Sequence, residues 1–169
     1  MEGKLKFLRF VAYAIEIVTL YVLSGTPGFL PEILGVKPLL LLPVAITIAV
    51  FESEVTAMIF GVICGCLCDI GFGTSIGFYT IALTLLCFAF GYSARNFFVT
   101  NFVNAMVIGS VTITVLLFVH FLIFPAGSDM PNLWGHFVRH YLIKILYTLL
   151  FLPPLFWFNR LFRSSMVES

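Results

Sequence analysis

Six apolar runs follow one another along this chain, separated by short polar breaks or by segments rich in glycine and proline. Of the 169 residues, 61% are hydrophobic and 10% are charged, whereas soluble domains carry about 25% charged residues. Such runs cross a bilayer as helices, because a helix satisfies its own backbone hydrogen bonds in lipid. We therefore predict an all-α integral membrane protein with a single domain. Its six transmembrane helices are expected at about residues 7–23, 38–51, 55–70, 75–92, 98–124 and 137–158.

The second apolar run is short for a membrane-spanning helix. Its roughly 14 residues would extend about 21 Å, whereas the hydrocarbon core of a bilayer is about 30 Å thick. Either the helix begins earlier, near Ile33, or the lipid around it is thinned. A second topology, with four full spans and runs 2 and 3 as re-entrant pieces, stays open.

The basic residues indicate how the spans are oriented. Six spans place both termini on one side, and cytoplasmic segments carry an excess of Lys and Arg. No A-x-A cleavage site follows the basic N-terminal segment, so we interpret it as leading into an uncleaved first span. Cytoplasmic termini would place Lys4, Lys6, Arg9, Arg95, Arg160 and Arg163 inside, and Lys37, Arg139 and Lys144 outside or in the outer half.

A stripe of small residues runs along the third span. Ala57, Gly61, Gly65 and Asp69 are spaced by four, so they lie on one slowly drifting face of a helix. In lipid, small residues let two helix backbones approach closely. We predict that Ala57, Gly61 and Gly65 form a helix-packing face.

A glycine-rich break follows the stripe. Gly71, Gly73 and Gly77 are expected to let the chain turn tightly and re-enter the membrane. Asp69 lies beside this turn, where its carboxylate could accept hydrogen bonds from the free N–H groups that open span 4. The stretch is therefore interpreted as a rigid helical hairpin with a hydrogen-bonded tip, and Asp69 as a structural residue.

Two charged residues fall deep inside apolar runs. A charge within the membrane is costly and usually faces a partner in the protein interior. Glu16 and Lys144 lie about 12 Å and 10 Å from the outer ends of spans 1 and 6, counted at 1.5 Å per residue. We predict that they form an ion pair. The alternative is that Lys144 extends toward the interface while Glu16 is protonated.

A second polar cluster is expected in the outer half of the membrane. Asp69, His120, Arg139 and His140 all fall near the outer ends of their spans. They are predicted to form one cluster of buried polar residues, with ordinary interfacial placement as the alternative.

The sequence offers no catalytic or metal-binding pattern. HExxH and GxSxG motifs are absent, and so is a second buried aspartate. Cys64, Cys66 and Cys68 invite a zinc interpretation, but on a helix Cys66 points away from the other two and no CxxC pair completes a site. We predict no enzymatic activity, no metal and no cofactor. The net charge of +1 gives no indication of nucleic-acid binding.

The segment from Pro38 to Ile70, followed by GFGTSIGFYTIALTLLCFAFGY, resembles the MreD family of rod shape-determining membrane proteins. The features that match are Gly61, Gly65, Asp69 and the Ile76-Gly77 step, while Cys66 and Cys68 depart from the family pattern. The resemblance implies a non-catalytic scaffold in the bacterial cytoplasmic membrane. Its partners would be an MreC-like protein, RodA, a class B penicillin-binding protein and, indirectly, the MreB cytoskeleton.

The same resemblance implies a fold similar to the S-component, the substrate-binding subunit of energy-coupling-factor transporters. Uptake of a vitamin or another small solute is therefore the alternative function. Such subunits meet their transport partner through an alanine-rich first span, whereas span 1 here holds only Ala12 and Ala14, which weakens this alternative.

Overall fold

A computed structural model describes residues 2–26, 36–72, 77–96, 102–123, 135 and 137–167 of the chain. Within these ranges the backbone is helical apart from short connections, and they contain no β-strand, in agreement with the predicted all-α class. The helices are α1 (Glu2–Gly25), α2 (Leu41–Phe51), α3 (Glu54–Phe72), α4 (Phe78–Asn96), α5 (Phe102–Ile123), the π-helical segment α6 (Phe137–Leu142), α7 (Ile143–Leu150) and α8 (Leu152–Val167).

Four of the predicted spans are helices long and apolar enough to cross a membrane by themselves, whereas α2 and the apolar part of α4 are shorter. The chain is therefore an integral membrane protein. The re-entrant alternative expected runs 2 and 3 to be partial spans, whereas α3 is long enough for a full span. Six crossings remain a prediction. The four long windows are Phe7–Gly25, Glu54–Gly71, Phe102–Ile123 and His140–Leu161.

The short helix α2 lies in the centre of the bundle, in contact with α1, α3, α4, α5, α7 and α8. Its 11 residues extend only about 16 Å. The predicted start at residue 38 is wrong, since the helix begins at Leu41 and the residues before it are buried but not helical. Pro43 is tolerated in the first turn of α2, where its missing N–H needs no partner.

The last predicted span is not one regular helix. It is divided into α6, α7 and α8, with a break at Phe151. Pro153 and Pro154 cannot donate hydrogen bonds to the carbonyls of Leu149 and Leu150, so the regular ladder is interrupted there. The backbone forms a tighter turn instead, in which the N–H of Phe151 donates to the carbonyl of Thr148 at 3.2 Å.

Two connections distinguish the ends of the bundle. The Glu52–Ser53 turn between α2 and α3 marks one end, called here the Glu52 end; the connection from α3 to α4 marks the other, called here the Asp69 end. Arg9, near the start of α1, forms an ion pair with Glu52 at 3.2 Å. Tyr21, near the end of α1, lies beside Gly71. Helices α1 to α4 therefore alternate in direction.

Candidate functional site

The small-residue stripe of α3 lies against α4, and these two helices form the most extensive contact in the described part of the bundle. A Cβ atom added to Gly65 would lie 2.4 Å from the Cα atom of Thr80, and one added to Gly61 would lie 2.9 Å from the carbonyl oxygen of Leu83. Ala57 is fully buried and faces Gly91 of α4. The residues expected to form a packing face thus lie where two backbones touch.

Asp69 joins the end of α3 to the first turn of α4. Its carboxylate accepts hydrogen bonds from the backbone N–H groups of Tyr79 at 3.1 Å and Thr80 at 3.0 Å, and from the Thr80 hydroxyl at 2.5 Å. These N–H groups have no partner within their own helix, and a negative charge is favoured at a helix N-terminus. This is the contact expected for Asp69 from the sequence.

The three turn glycines differ in their surroundings. Gly77 has a φ of +87°, which L-residues with a side chain rarely adopt, and it directly precedes α4. The prediction was wrong for Gly71, which lies inside the last turn of α3 and gives room to the Tyr21 ring; a Cβ atom there would lie 3.1 Å from that ring. Gly73 lies outside the described residues.

An aromatic cluster surrounds His120 near the Asp69 end. The His120 ring stacks on Tyr79, with ring centroids 5.2 Å apart and planes inclined by 20°, and its Nδ1 atom lies 3.0 Å from the Tyr141 hydroxyl. Phe78 meets the same ring edge-on at 5.3 Å. The two tyrosines were missed by sequence reasoning, because tyrosines near span ends are commonly interfacial.

The predicted outer cluster is only partly described. Asp69 and Lys144 both lie within electrostatic range of His120. His140 is half-buried in α6, and the side chain of Arg139 lies outside what the structure describes. The structure thus brings Asp69, His120 and Lys144 into one neighbourhood.

The predicted ion pair between Glu16 and Lys144 is wrong. Oε1 of Glu16 accepts a hydrogen bond from Nδ2 of Asn159 at 3.3 Å, and Oε2 has no hydrogen-bond partner. The reason is position along the bundle: Asn159 and Lys144 are separated by about 22 Å of helix, with the break at Phe151 between them. Among the described helices, α1 contacts α8 but not α7.

Asn159 and Thr47 complete a buried polar triad with Glu16. The Nδ2 group of Asn159 also donates to the Thr47 hydroxyl at 3.0 Å. Asn159 is fully buried, Thr47 is 2% exposed and Glu16 is 8% exposed. Sequence reasoning missed Asn159, because it directly precedes Arg160 and lies at the predicted end of the last span. An uncharged amide in an otherwise apolar helix was the available signal.

A groove of about 570 Å³ opens between α1 and α8 beside this triad. Almost all of its accessible lining is apolar, and Glu16 and Asn159 are among the residues that line it. Oδ1 of Asn159, like Oε2 of Glu16, has no hydrogen-bond partner. The apolar groove therefore lies beside two buried oxygen atoms that have no hydrogen-bond partner.

The cysteines pack as the helical spacing predicts. Cys64 and Cys68 are buried and Cys66 is exposed, while Cys87 of α4 is also buried. All four thiols are free. Among the residues that the structure describes, no group of His, Cys, Asp and Glu has the arrangement of a metal site.

Comparison with known proteins identifies the family. Residues 4–162 match the family model described as rod shape-determining protein MreD, which covers nearly the whole chain. The comparisons with curated proteins and with solved structures give no match, so the expected similarity to the S-component stays a prediction. The family is one of rod shape-determining membrane proteins, and membership suggests a role in determining rod shape. This chain therefore belongs to the MreD family.

Proposed function

We propose that the chain is a non-catalytic scaffold of the rod complex in the bacterial cytoplasmic membrane. It would connect an MreC-like protein to RodA, a class B penicillin-binding protein and, indirectly, the MreB cytoskeleton, so that peptidoglycan synthesis follows rod shape. The observation that carries this proposal is the family match over residues 4–162.

The geometry of the polar groups supports a scaffold. Asp69 holds the start of α4, and Glu52 accepts from the Tyr13 hydroxyl at 3.2 Å while pairing with Arg9. Thr148 accepts a hydrogen bond from the N–H of Leu39 at 3.2 Å. Each of these contacts joins two helices or the segments beside them, which is how polar groups stabilise a membrane bundle.

Six crossings with both termini in the cytoplasm form part of the proposal. The alternating directions of α1 to α4 are compatible with it. Arg9 and the exposed Arg160 belong to the group of six basic residues assigned to the cytoplasm, and the Glu52 end would then be the cytoplasmic end.

Complementation tests the proposed function. In a rod-shaped bacterium depleted of its own MreD, expression of this chain with its cognate MreC-like protein is expected to restore rod shape, and the two proteins are expected to co-purify from membranes. Cells that stay round while the chain is present in the membrane at normal levels would contradict the proposal.

A ligand screen separates the scaffold from a transport subunit. The purified chain is expected to show no specific thermal stabilisation by vitamins, because its proposed role requires no solute. Tight binding of one such molecule, together with no association with the MreC-like protein, would favour the transport function instead.

A further inference from the structure

Two buried oxygen atoms beside the groove between α1 and α8 lack a hydrogen-bond donor. Oε2 of Glu16 and Oδ1 of Asn159 belong to side chains that are 8% and 0% exposed, and neither atom has a hydrogen-bond partner in the bundle. Both residues line the groove. Buried oxygen atoms are normally satisfied, since leaving them without a partner is costly.

The depth of these atoms limits what can satisfy them. Glu16 lies at the midpoint of the apolar window Phe7–Gly25, about 10 Å along α1 from Arg9. Acyl chains at such a depth carry no hydrogen-bond donor, and water is excluded from the hydrocarbon. A donor that comes from outside the bundle must therefore belong to a molecule that carries polar groups inside the membrane.

The shape of the groove favours a helix. It runs between two helices, and its walls are apolar side chains at helical spacing on α1, including Leu8, Ala12 and Ile15. Among the four long windows, that of α1 is the least buried, so α1 has the most surface free for another helix. Ala12 provides the small side chain at which two membrane helices can approach closely.

We propose that this groove binds a single transmembrane helix of a partner protein, which inserts a Ser, Thr, Asn or Gln side chain toward Glu16 and Asn159. The hydroxyl or amide of that side chain donates to the two oxygen atoms, and apolar residues one turn away on either side fill the rest of the groove. This inference rests on the proposed function, because the partner helix would be that of the MreC-like protein.

Site-specific crosslinking in membranes tests the proposal. A photoreactive amino acid is placed at Ile15 or Phe158, which border the groove, and at Val107 or Val115, which are exposed on α5. With the MreC-like protein co-expressed, the two groove positions are expected to crosslink to its membrane helix, and the two α5 positions are not. Crosslinks from α5 alone, or groove crosslinks only to lipid or to a second copy of this chain, would overturn the proposal.

A groove-filling variant with a matched control gives a second test. Ala12→Trp is expected to reduce co-purification of the MreC-like protein at least fivefold, while Ala89→Trp, on the exposed face of α4, leaves it unchanged. Equal effects of the two variants would contradict the proposal. If Ala12→Trp fails to fold, the crosslinking experiment still tests the proposal, because its variants leave Ala12 unchanged and the groove unfilled.

The partner supplies the third test. Replacing the polar residue in the central turns of its membrane helix by Leu is expected to weaken co-purification about threefold to twentyfold, the range for one hydrogen bond between membrane helices. If no polar residue there matters, the proposed docking chemistry fails while the scaffold function stands. If the unchanged partner neither co-purifies nor crosslinks, the proposed function itself fails.

Discussion

Single polar residues decide how this apolar chain is held together. In lipid, moving an apolar side chain from lipid to a helix surface gives no hydrophobic free energy. Hydrogen bonds and close packing contacts therefore select the arrangement of the helices. Asp69 is the clearest case, since one carboxylate satisfies two backbone N–H groups and a hydroxyl of α4. Asn159 has a similar role, since its amide group donates to side chains of both α1 and α2.

Removing the Asp69 carboxylate should destabilise the hairpin. Asp69→Ala leaves the N–H groups of Tyr79 and Thr80 without their acceptor, so we expect the free energy of unfolding to fall by about 1–3 kcal/mol. Thermal unfolding in detergent measures the change. Thr80→Val is the control, because it removes the hydroxyl contact and keeps both backbone bonds, and it should cost less. Equal stability of Asp69→Ala and the unchanged protein would contradict this role.

At the scale of the helices, the close approach of α3 and α4 and the central position of α2 organise the bundle. The first depends on the absence of side chains at Gly61 and Gly65. The second depends on buried polar contacts, because α2 begins within the bundle and its preceding backbone cannot reach water. Thr148 meets that need with one hydroxyl, which donates to the carbonyl of Lys144 and accepts from the N–H of Leu39.

A methyl group at Gly65 should separate α3 from α4. Its Cβ atom would lie 2.4 Å from the Cα atom of Thr80 and 2.8 Å from the Tyr79 carbonyl oxygen, and backbone atoms cannot move aside as a side chain can. We expect Gly65→Ala to lower the free energy of unfolding by about 1–3 kcal/mol, the usual cost of overpacking. Gly25→Ala, which meets nothing within 4 Å, is the matched control and should be neutral. A harmless Gly65→Ala would exclude this close contact.

Thr148→Val should loosen the start of α2. The N–H of Leu39 would remain buried without an acceptor, which costs about 1–3 kcal/mol. Denaturant unfolding of the purified protein gives the value, and faster backbone hydrogen exchange at Leu39 would locate the effect. The control is Thr114→Val, whose exposed hydroxyl bonds only within α5. If both variants lose a similar free energy of unfolding, the contact of the Thr148 hydroxyl with Leu39 does not stabilise the start of α2.

At the scale of the whole molecule, the structure is a bundle whose helices differ strongly in burial. Helix α2 is buried along nearly its whole length, whereas α1 is mostly exposed and, among the described helices, contacts α2, α3 and α8 alone. A peripheral helix with a groove beside it is the part of the bundle most open to a partner.

The proposed topology predicts which turns are accessible from outside the cell. In a variant without native cysteines, Thr26→Cys is expected to react with a membrane-impermeant maleimide in intact cells, because it follows the outer end of α1. Ser53→Cys, in the turn between α2 and α3, should react only after the membrane is permeabilised. Labelling of Ser53→Cys in intact cells would reverse or remove the proposed crossings.

The sequence by itself determined the class of protein, its family, the packing face of α3 and the neighbourhood of Asp69. These follow from hydrophobicity, helical spacing and the position of a carboxylate beside a turn, all of which are local along the chain. Such predictions are more reliable in a bilayer, because an apolar run in lipid must satisfy its backbone hydrogen bonds internally and therefore forms a helix.

Only the tertiary structure decided the partner of Glu16, the central burial of α2 and the tyrosines around His120. Glu16 and Asn159 are 143 residues apart in the chain, and their meeting depends on which helices are neighbours and how each is rotated. Both α7 and α8 contact α2 and α5, but of these two helices only α8 contacts α1, so counting residues from a span end wrongly placed Lys144 of α7 beside Glu16. Lateral order in a bundle arises from contacts between distant segments, and hydropathy along one segment contains no information about them.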